Sequence, residues 1–261
     1  MIRKLTKRDH EQVLIFLKEE ISINLFIIGD IEAFGYDADF QELWGHFTEN
    51  EMLQSVLLRF HDSFILYGKD NFSIVDYEVI LSSHKPLKIS GKSDIVEKIE
   101  DVHGIHLGTK NKTYFCECKD DTALPKTMIH TTIKQATIAD VERIMHLRNN
   151  IEEFPQSNQS EKILRQSLET NTGRTYYIEE NGEMVSSAST SAENSLSAMV
   201  VGVCTHPNYR GKGYASLILQ QMIQDFKKEG RTLCLFYHNQ AAGRIYKRLG
   251  FQDIGTWTIY R

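Results

Sequence analysis

The residues best suited to chemistry lie near the C-terminal end of the chain. Arg210-Gly211-Lys212-Gly213-Tyr214-Ala215 sets two glycines among two cations, immediately before a helical pattern. Glycine lets a backbone approach a ligand closely, and the first N–H groups of a helix have no internal partner. With the positive end of the helix dipole behind them, these groups suit an anion such as a phosphate. Two other phosphate-binding turns are excluded. In this turn no Ser or Thr follows a Gly-Lys as a Walker loop requires, and Ser216 stands where a dinucleotide fingerprint needs its third glycine. Further on, Asn239-x-x-Ala242-x-x-x-Tyr246-x-x-x-Gly250-Phe251 supplies a capping amide and a phenol that can donate a proton near neutral pH.

The elements that must position these groups can be read from pattern. Ser195–Thr205 is an apolar, β-branched strand interrupted by Gly202, and His206-Pro207-Asn208 turns the chain. A helix then spans about Tyr214 to Lys228, with Leu219, Met222, Ile223 and Phe226 at helical spacing. Lys227 and Lys228 suit its C-terminal end, and Gly230 stops it. Thr232–Tyr237 is a strand, Asn239 caps the next helix, and Ala242, Ile245, Tyr246 and Leu249 form one face of it.

Together, Arg210-x-x-Gly213-x-Ala215 and the Asn239–Phe251 pattern resemble the paired signature of the GNAT N-acetyltransferases, which bind acetyl-coenzyme A. The two motifs occupy roughly the last quarter of the chain. The resemblance implies that the backbone of Val203, Cys204 and Thr205 pairs with the pantetheine arm. Arg210, Gly211, Lys212, Gly213, Tyr214 and Ala215 then hold the pyrophosphate, and Asn239 contacts the cofactor arm. Tyr246 matches the position of the family's usual general acid. The sequence departs from the pattern at the general base: many relatives carry Glu on the strand before the Asn, whereas this strand offers Leu235, Phe236 and Tyr237. His238, Glu193 and a water chain remain candidates. Cys204 reads as a small buried strand residue rather than a nucleophile.

Composition narrows the function classes. The chain has 261 residues, 41% of them hydrophobic and 25% charged, as in ordinary globular proteins. No apolar run is long enough to span a bilayer, and the basic N-terminus lacks an apolar signal segment, so a cytoplasmic protein is expected. Residues 1–125 carry 14 basic and 22 acidic side chains, and residues 126–261 carry 16 and 13. The mildly basic second half suits an anionic cofactor, and neither half suits nucleic acid. Cys116 and Cys118 share a face if they lie in a strand, but no second pair at zinc spacing follows, so no metal site is expected.

A short repeat points to two similar domains. Ile2-Arg3-Lys4-Leu5-Thr6-x-x-Asp9-x-Glu11 aligns with Ile133-Lys134-Gln135-Ala136-Thr137-x-x-Asp140-x-Glu142, each a strand followed by a capped helix start. A polar linker at Lys119–Thr127 places the boundary between domains 1–125 and 126–261. In the first half, helices are expected near Asp9–Glu20, Ile23–Glu32 and Asp94–Val102. Strands are expected near Glu42–Thr48, Leu53–Arg59 and Phe64–Tyr67, with Tyr77–Leu81, Leu87–Ser90 and Tyr114–Cys118 as further candidates. Where the second half has its glycine turn, the first has Gly68-Lys69-Asp70-Asn71-Phe72, so this half is expected to bind no coenzyme A. In the second half a strand at Ile129–Gln135, helices at Thr137–Asn149 and Ser160–Leu168, and strands Arg174–Glu180 and Glu183–Ser191 precede the motif region. Asn181-Gly182 is a hairpin signal between the last two strands.

The expected fold is α/β (α+β): two GNAT-like domains, each a mixed, largely antiparallel sheet flanked by helices, the first degenerate and the second holding acetyl-CoA. The expected activity is transfer of acetyl from acetyl-CoA to a primary amine by direct attack, with no nucleic-acid or membrane partner. The alternative is a coenzyme A-binding regulatory or scaffold protein without turnover. Aminoacyl transfer by tandem GNAT-like domains is a third class, and the intact coenzyme A motifs argue against it.

Overall fold

A computed structural model describes residues 1–69, 72–125, 131–154 and 158–261. The chain forms two compact units, Met1–Phe115 with Ile254–Arg261, and Cys116–Asp253. The units do not meet at the expected 125/126 boundary. The described part of the polar stretch expected as a linker lies in the second unit, and the C-terminal tail belongs to the first.

The first unit contains β1 (Ile2–Lys4), α1 (His10–Leu17), α2 (Leu25–Phe34), β2 (Gln41–Phe47), β3 (Leu53–Phe60), β4 (Ser63–Gly68), α3 (Glu78–Leu81), β5 (Lys88–Lys92) and α4 (Ser93–Val96). It also takes most of β6 (Lys110–Cys118). Strands β1 to β4 pair antiparallel in sequence order, and β4 pairs parallel with β5. The Tyr77–Leu81 segment is helical, not a strand. In a strand Tyr77, Val79 and Leu81 would share a face, but here Tyr77 and Leu81 are buried one turn apart while Val79 is 85% exposed. The tyrosine hydroxyl lies 3.0 Å from Ser55 Oγ, so the buried ring keeps a polar partner.

The second unit contains β7 (Lys134–Gln135), α5 (Val141–Asn149), α6 (Asn158–Glu169), β8 (Thr175–Glu180), β9 (Glu183–Ser191), β10 (Ser197–Thr205), α7 (Tyr214–Lys228), β11 (Thr232–Tyr237) and α8 (Gln240–Arg248). Strands β7 to β10 pair antiparallel in sequence order, and β10 pairs parallel with β11. Residues 129–130 of the strand expected before α5 lie outside the described residues, and the described strand is only Lys134–Gln135. Asn181 and Gly182 join β8 to β9 with φ of 53° and 83°, the paired positive values that suit a tight hairpin. Two apolar clusters flank this sheet. One lies under α7 around Ile218, Leu219, Met222 and Phe226, and the other under α5 around Val141, Ile144 and Leu147.

The sequence reading did not anticipate the last strand, β12 (Gln252–Tyr260). It pairs antiparallel with β5 from Trp257–Lys92 to Tyr260–Ile89, and buries Trp257 and Tyr260 in the first unit. In the second unit the neighbour of β11 is instead the end of β6, where Cys116 and Cys118 are buried. Only the end of β6 belongs to the second unit, whereas most of β12 belongs to the first. The repeat seen in the sequence carries into structure at its start: Thr6 N–H donates to Asp9 Oδ2 at 2.8 Å, and Thr137 N–H to Asp140 Oδ2 at 3.0 Å. Each capping box opens one turn of 3-10 helix before α1 or α5. Among the described residues no helix is long and apolar enough to cross a membrane.

Candidate active site

The site grows from a parting of two strands. The parallel register of β10 and β11 ends at Val200–Leu235, although β10 runs on to Thr205 and β11 to Tyr237. On its other edge β10 stays paired with β9, resuming at Cys204–Ser187 and Thr205–Ser186 after a bulge between Val201 and Cys204. The bulge shows in side-chain parity. Val200 and Val203 both pack into the α7 cluster, whereas three residues apart in a regular strand they would face opposite ways. Gly202 has φ of 62°, a backbone conformation that favours glycine. The stretch Val201–Thr205 thus presents an edge with no strand in register towards the side that β11 has left.

The glycine turn follows at once. Gly213 stands at the N-cap of α7 with φ of 82° and supplies no capping side chain, so the first N–H groups of the helix are left for a ligand. A β-carbon at Gly211 or Gly213 would meet nothing within 4 Å, so both positions face open space. Positive φ explains the glycines locally, and the open space is what an approaching phosphate needs. Arg210 folds back: its Nε donates to Thr205 O at 3.3 Å and its Nη2 meets Glu153 Oε2 at 3.0 Å. Both partners of that ion pair are exposed, so the cost of releasing Arg210 to a phosphate is small. Lys212 has no carboxylate partner among the described residues, and its Nζ lies 4.8 Å from the Tyr209 ring centre. The Tyr214 hydroxyl donates to Glu180 Oε1 at 2.5 Å.

Asn239 caps α8, its Oδ1 accepting from Ala241 N–H at 2.8 Å, which leaves its Nδ2 donors directed elsewhere. Gly243 lets the ring of Tyr237 lie directly against the same helix. Tyr246 sits on α8 with its ring 6.0 Å from those of both Tyr237 and Phe251, edge-on. Burial pushes its phenol up to about 12, the neighbouring Cys116 adding to the effect. The core cluster under α7 is shared: Val203, Tyr209, Tyr214 and Tyr246 all pack against or within it. One apolar mass therefore supports the strand edge, the turn and the phenol.

Two other candidates from the sequence take other roles in the fold. Glu193 is buried against Arg174 Nη2 and Arg231 Nη1, each at 2.9 Å, and accepts from Thr190 Oγ1. Although burial pulls the other way, these partners leave its carboxylate below the usual range, so it is a poor base. Cys204 is buried in the α5 cluster, and desolvation raises its thiol, as befits a packing residue. His238 is exposed beyond the end of β11. The acidic counterpart of the glycine turn in the first half, Asp70-Asn71, lies outside the described residues.

The sequence reading overlooked Arg148. It reaches from α5 to the bulge, where its Nη2 donates to Ser189 Oγ at 2.7 Å and a β-carbon at Gly202 would lie 2.6 Å from Nη2. The only sequence signal was a glycine in mid-strand, which marks a close approach without naming what approaches.

A family model described as GNAT acetyltransferase matches residues 38–260. Among solved structures, a Drosophila protein aligns over 100% of this chain and 98% of its own at 11% identity and TM-score 0.69. A GNAT-family acetyltransferase from Colwellia psychrerythraea covers 100% and 98% at 13% identity and TM-score 0.59. A tandem GNAT protein of the clavulanic acid biosynthesis pathway covers 100% and 97% at 11% identity and TM-score 0.59. At such identities these likenesses speak for the fold, a mixed and largely antiparallel sheet with helices, while the family model spans most of the chain. With strands parting above a glycine turn, and a match across both units, this chain belongs to the GNAT acetyltransferase family, whose chemistry is acetyl transfer dependent on acetyl-CoA.

Proposed function

We propose that the protein is an N-acetyltransferase that moves acetyl from acetyl-CoA to a primary amine by direct attack. The observation that carries this reading is the end of the β10–β11 ladder at Val200–Leu235, followed along β10 by an open glycine turn at a helix start. The free edge at Val203, Cys204 and Thr205 suits the amide-bearing pantetheine arm. The backbone of Gly211 to Ala215, with Arg210 and Lys212, suits the pyrophosphate. Asn239 offers its Nδ2 to the arm while its oxygen caps the helix.

The amine nitrogen attacks the thioester carbonyl carbon. A C–N bond forms, the C–S bond breaks, the nitrogen gives up a proton and the departing sulfur needs one. A β10 N–H facing the carbonyl oxygen stabilises the tetrahedral oxyanion. Tyr246 stays protonated throughout the physiological range and donates to the leaving sulfur. Its raised pKa makes full transfer to a thiolate uphill, so its share is hydrogen bonding that strengthens as charge builds on sulfur. With Glu193 held by two arginines, the proton leaves the amine through water or His238. The reaction is expected in the cytoplasm on the sequence grounds above.

One observation favours the second reading, coenzyme A binding without turnover: the end of β11 carries Leu235, Phe236 and Tyr237 in place of a carboxylate. Thiol release from acetyl-CoA across a panel of primary amines separates the two. Amine-dependent release supports the transferase. Tight acetyl-CoA binding with no release for any amine supports the scaffold.

A further inference from the structure

Arg148 is a half-buried cation with no counter-charge among the described residues. Its Nε is shut off from solvent with no hydrogen-bond partner among the described residues, which also place no carboxylate within ion-pair distance of it. Among the described residues its one hydrogen bond goes to Ser189 Oγ, which is itself shared with Thr175 Oγ1 at 2.6 Å. A guanidinium has five N–H donors, so most of this fork is unused. Even partial burial of an unpaired charge is unfavourable, and a protein that keeps one has a reason to. Gly202, whose positive φ already favours glycine, also leaves the guanidinium its place, since a β-carbon there would stand 2.6 Å from Nη2.

The guanidinium borders a cavity of about 200 Å³ lined by Met145, Arg148, Asn149, Phe154, Ser160 and Gly202. Asn149 and Ser160 bring polar groups, and Met145 and Phe154 bring apolar walls. The cavity is small enough for the head group of a ligand rather than a peptide chain. Gly202, part of its lining, belongs to the stretch of β10 that has lost its partner strand, which sets the cavity beside the edge assigned to the thioester arm. Planar, bidentate donors match a carboxylate, and the small cavity with its apolar walls suits that group better than a bulkier, doubly charged phosphate.

We propose that Arg148 binds a carboxylate on the acceptor, so that the amine acetylated here is a small amino acid or a similar amino-carboxylate. This rests on the acetyltransferase reading and adds the class of acceptor to it. Arg148 then serves as a specificity-determining residue, placing the acceptor by its acid end.

The test uses the full chain saturated with coenzyme A and amines in matched pairs: amino acids of increasing length between amine and acid, each with its carboxamide and its phosphonate. Calorimetry should show at least one carboxylate binding about 30-fold or more tighter than its amide, as expected for a desolvated charge pair. Arg148→Met should bring carboxylate and amide within about threefold of each other, and Arg148→Lys should keep part of the preference. Unliganded Arg148→Met should melt higher than the parent, because it relieves a half-buried unpaired charge, whereas a purely structural arginine would lower the melting temperature on removal. Equal binding of every carboxylate and its amide, or preference for the phosphonate, overturns the proposal while acetyl-CoA binding stands. Failure of the parent chain to bind acetyl-CoA in the same cells would instead remove the transferase reading, and this inference with it.

Discussion

The rings of Tyr246 and Phe251 meet edge-on at 6.0 Å, the first on α8 and the second just beyond its end. Packing of this kind fixes the phenol's direction without using its hydroxyl, for which the described residues supply no hydrogen-bond partner. Tyr246→Phe should therefore keep the fold and acetyl-CoA affinity, and lower kcat by about 10²-fold if the hydroxyl assists the leaving sulfur. A variant with full kcat, where chemistry is rate-limiting, would reduce Tyr246 to a packing residue. The pH profile offers a second check. Because the folded phenol titrates near 12, well above the usual 10, its loss of a proton should leave rates between pH 8 and 10 untouched.

Asn239 combines two roles that substitution can separate. Asn239→Asp keeps the oxygen that caps α8 but removes the Nδ2 donors, so stability should hold while KM for acetyl-CoA rises. Asn239→Ala removes the cap as well and should cost about 1 kcal/mol of stability in addition. Denaturant unfolding alongside initial rates reads both effects.

Gly213 has an open front and a left-handed backbone, and Asn tolerates that conformation better than most residues. Gly213→Asn should weaken acetyl-CoA binding through bulk alone. Gly213→Asp, nearly identical in shape, should weaken it by a further factor of about 10 by placing a negative charge against the pyrophosphate. Equal affinities of the two variants by calorimetry would remove the phosphate from this turn.

The buried Glu193 carboxylate, clasped by Arg174 and Arg231, should matter for stability and little for rate. Glu193→Gln leaves two arginines under-compensated and should cost about 3 kcal/mol at pH 7. The native carboxylate titrates below its unfolded value, so the stabilisation is complete above about pH 4.5 and fades as pH falls through the lowered folded value. Parent and variant should therefore converge in urea unfolding at acid pH. A large loss of kcat in a folded variant would restore Glu193 as the base.

Removing Ile254–Arg261 should damage the unit at the other end of the sequence. The deleted segment carries Trp257 and Tyr260, each 2% exposed, and the ladder to β5. Loss of those side chains alone is worth several kcal/mol. Hydrogen exchange should accelerate in β5 while β9 keeps its protection; unchanged protection in β5 would contradict the strand assignment.

The phosphate-binding turn was legible in the sequence because its cause is local: two glycines, two cations and a helix start within six residues, with an apolar stripe to hold the helix in place. The Asn239 cap, the Asn181-Gly182 hairpin and both Thr-x-x-Asp starts were legible for the same reason. The sequence alone also determined the family resemblance, through two motifs whose spacing survives whatever surrounds them. What only the tertiary structure decided depends on residues far apart in the chain. Strand pattern states that a segment can pair but not with which neighbour, so neither the place of β12 beside β5 nor the parting of β10 from β11 after Val200 could be read in advance. Tyr77–Leu81 was apolar enough for either periodicity, and burial in the core selected the helix. Glu193 changed from candidate base to ion-pair partner because Arg174 and Arg231 converge on it from other strands and turns. Arg148 looked like one more charge on a helix until the bulge at Gly202 drew a pocket around it.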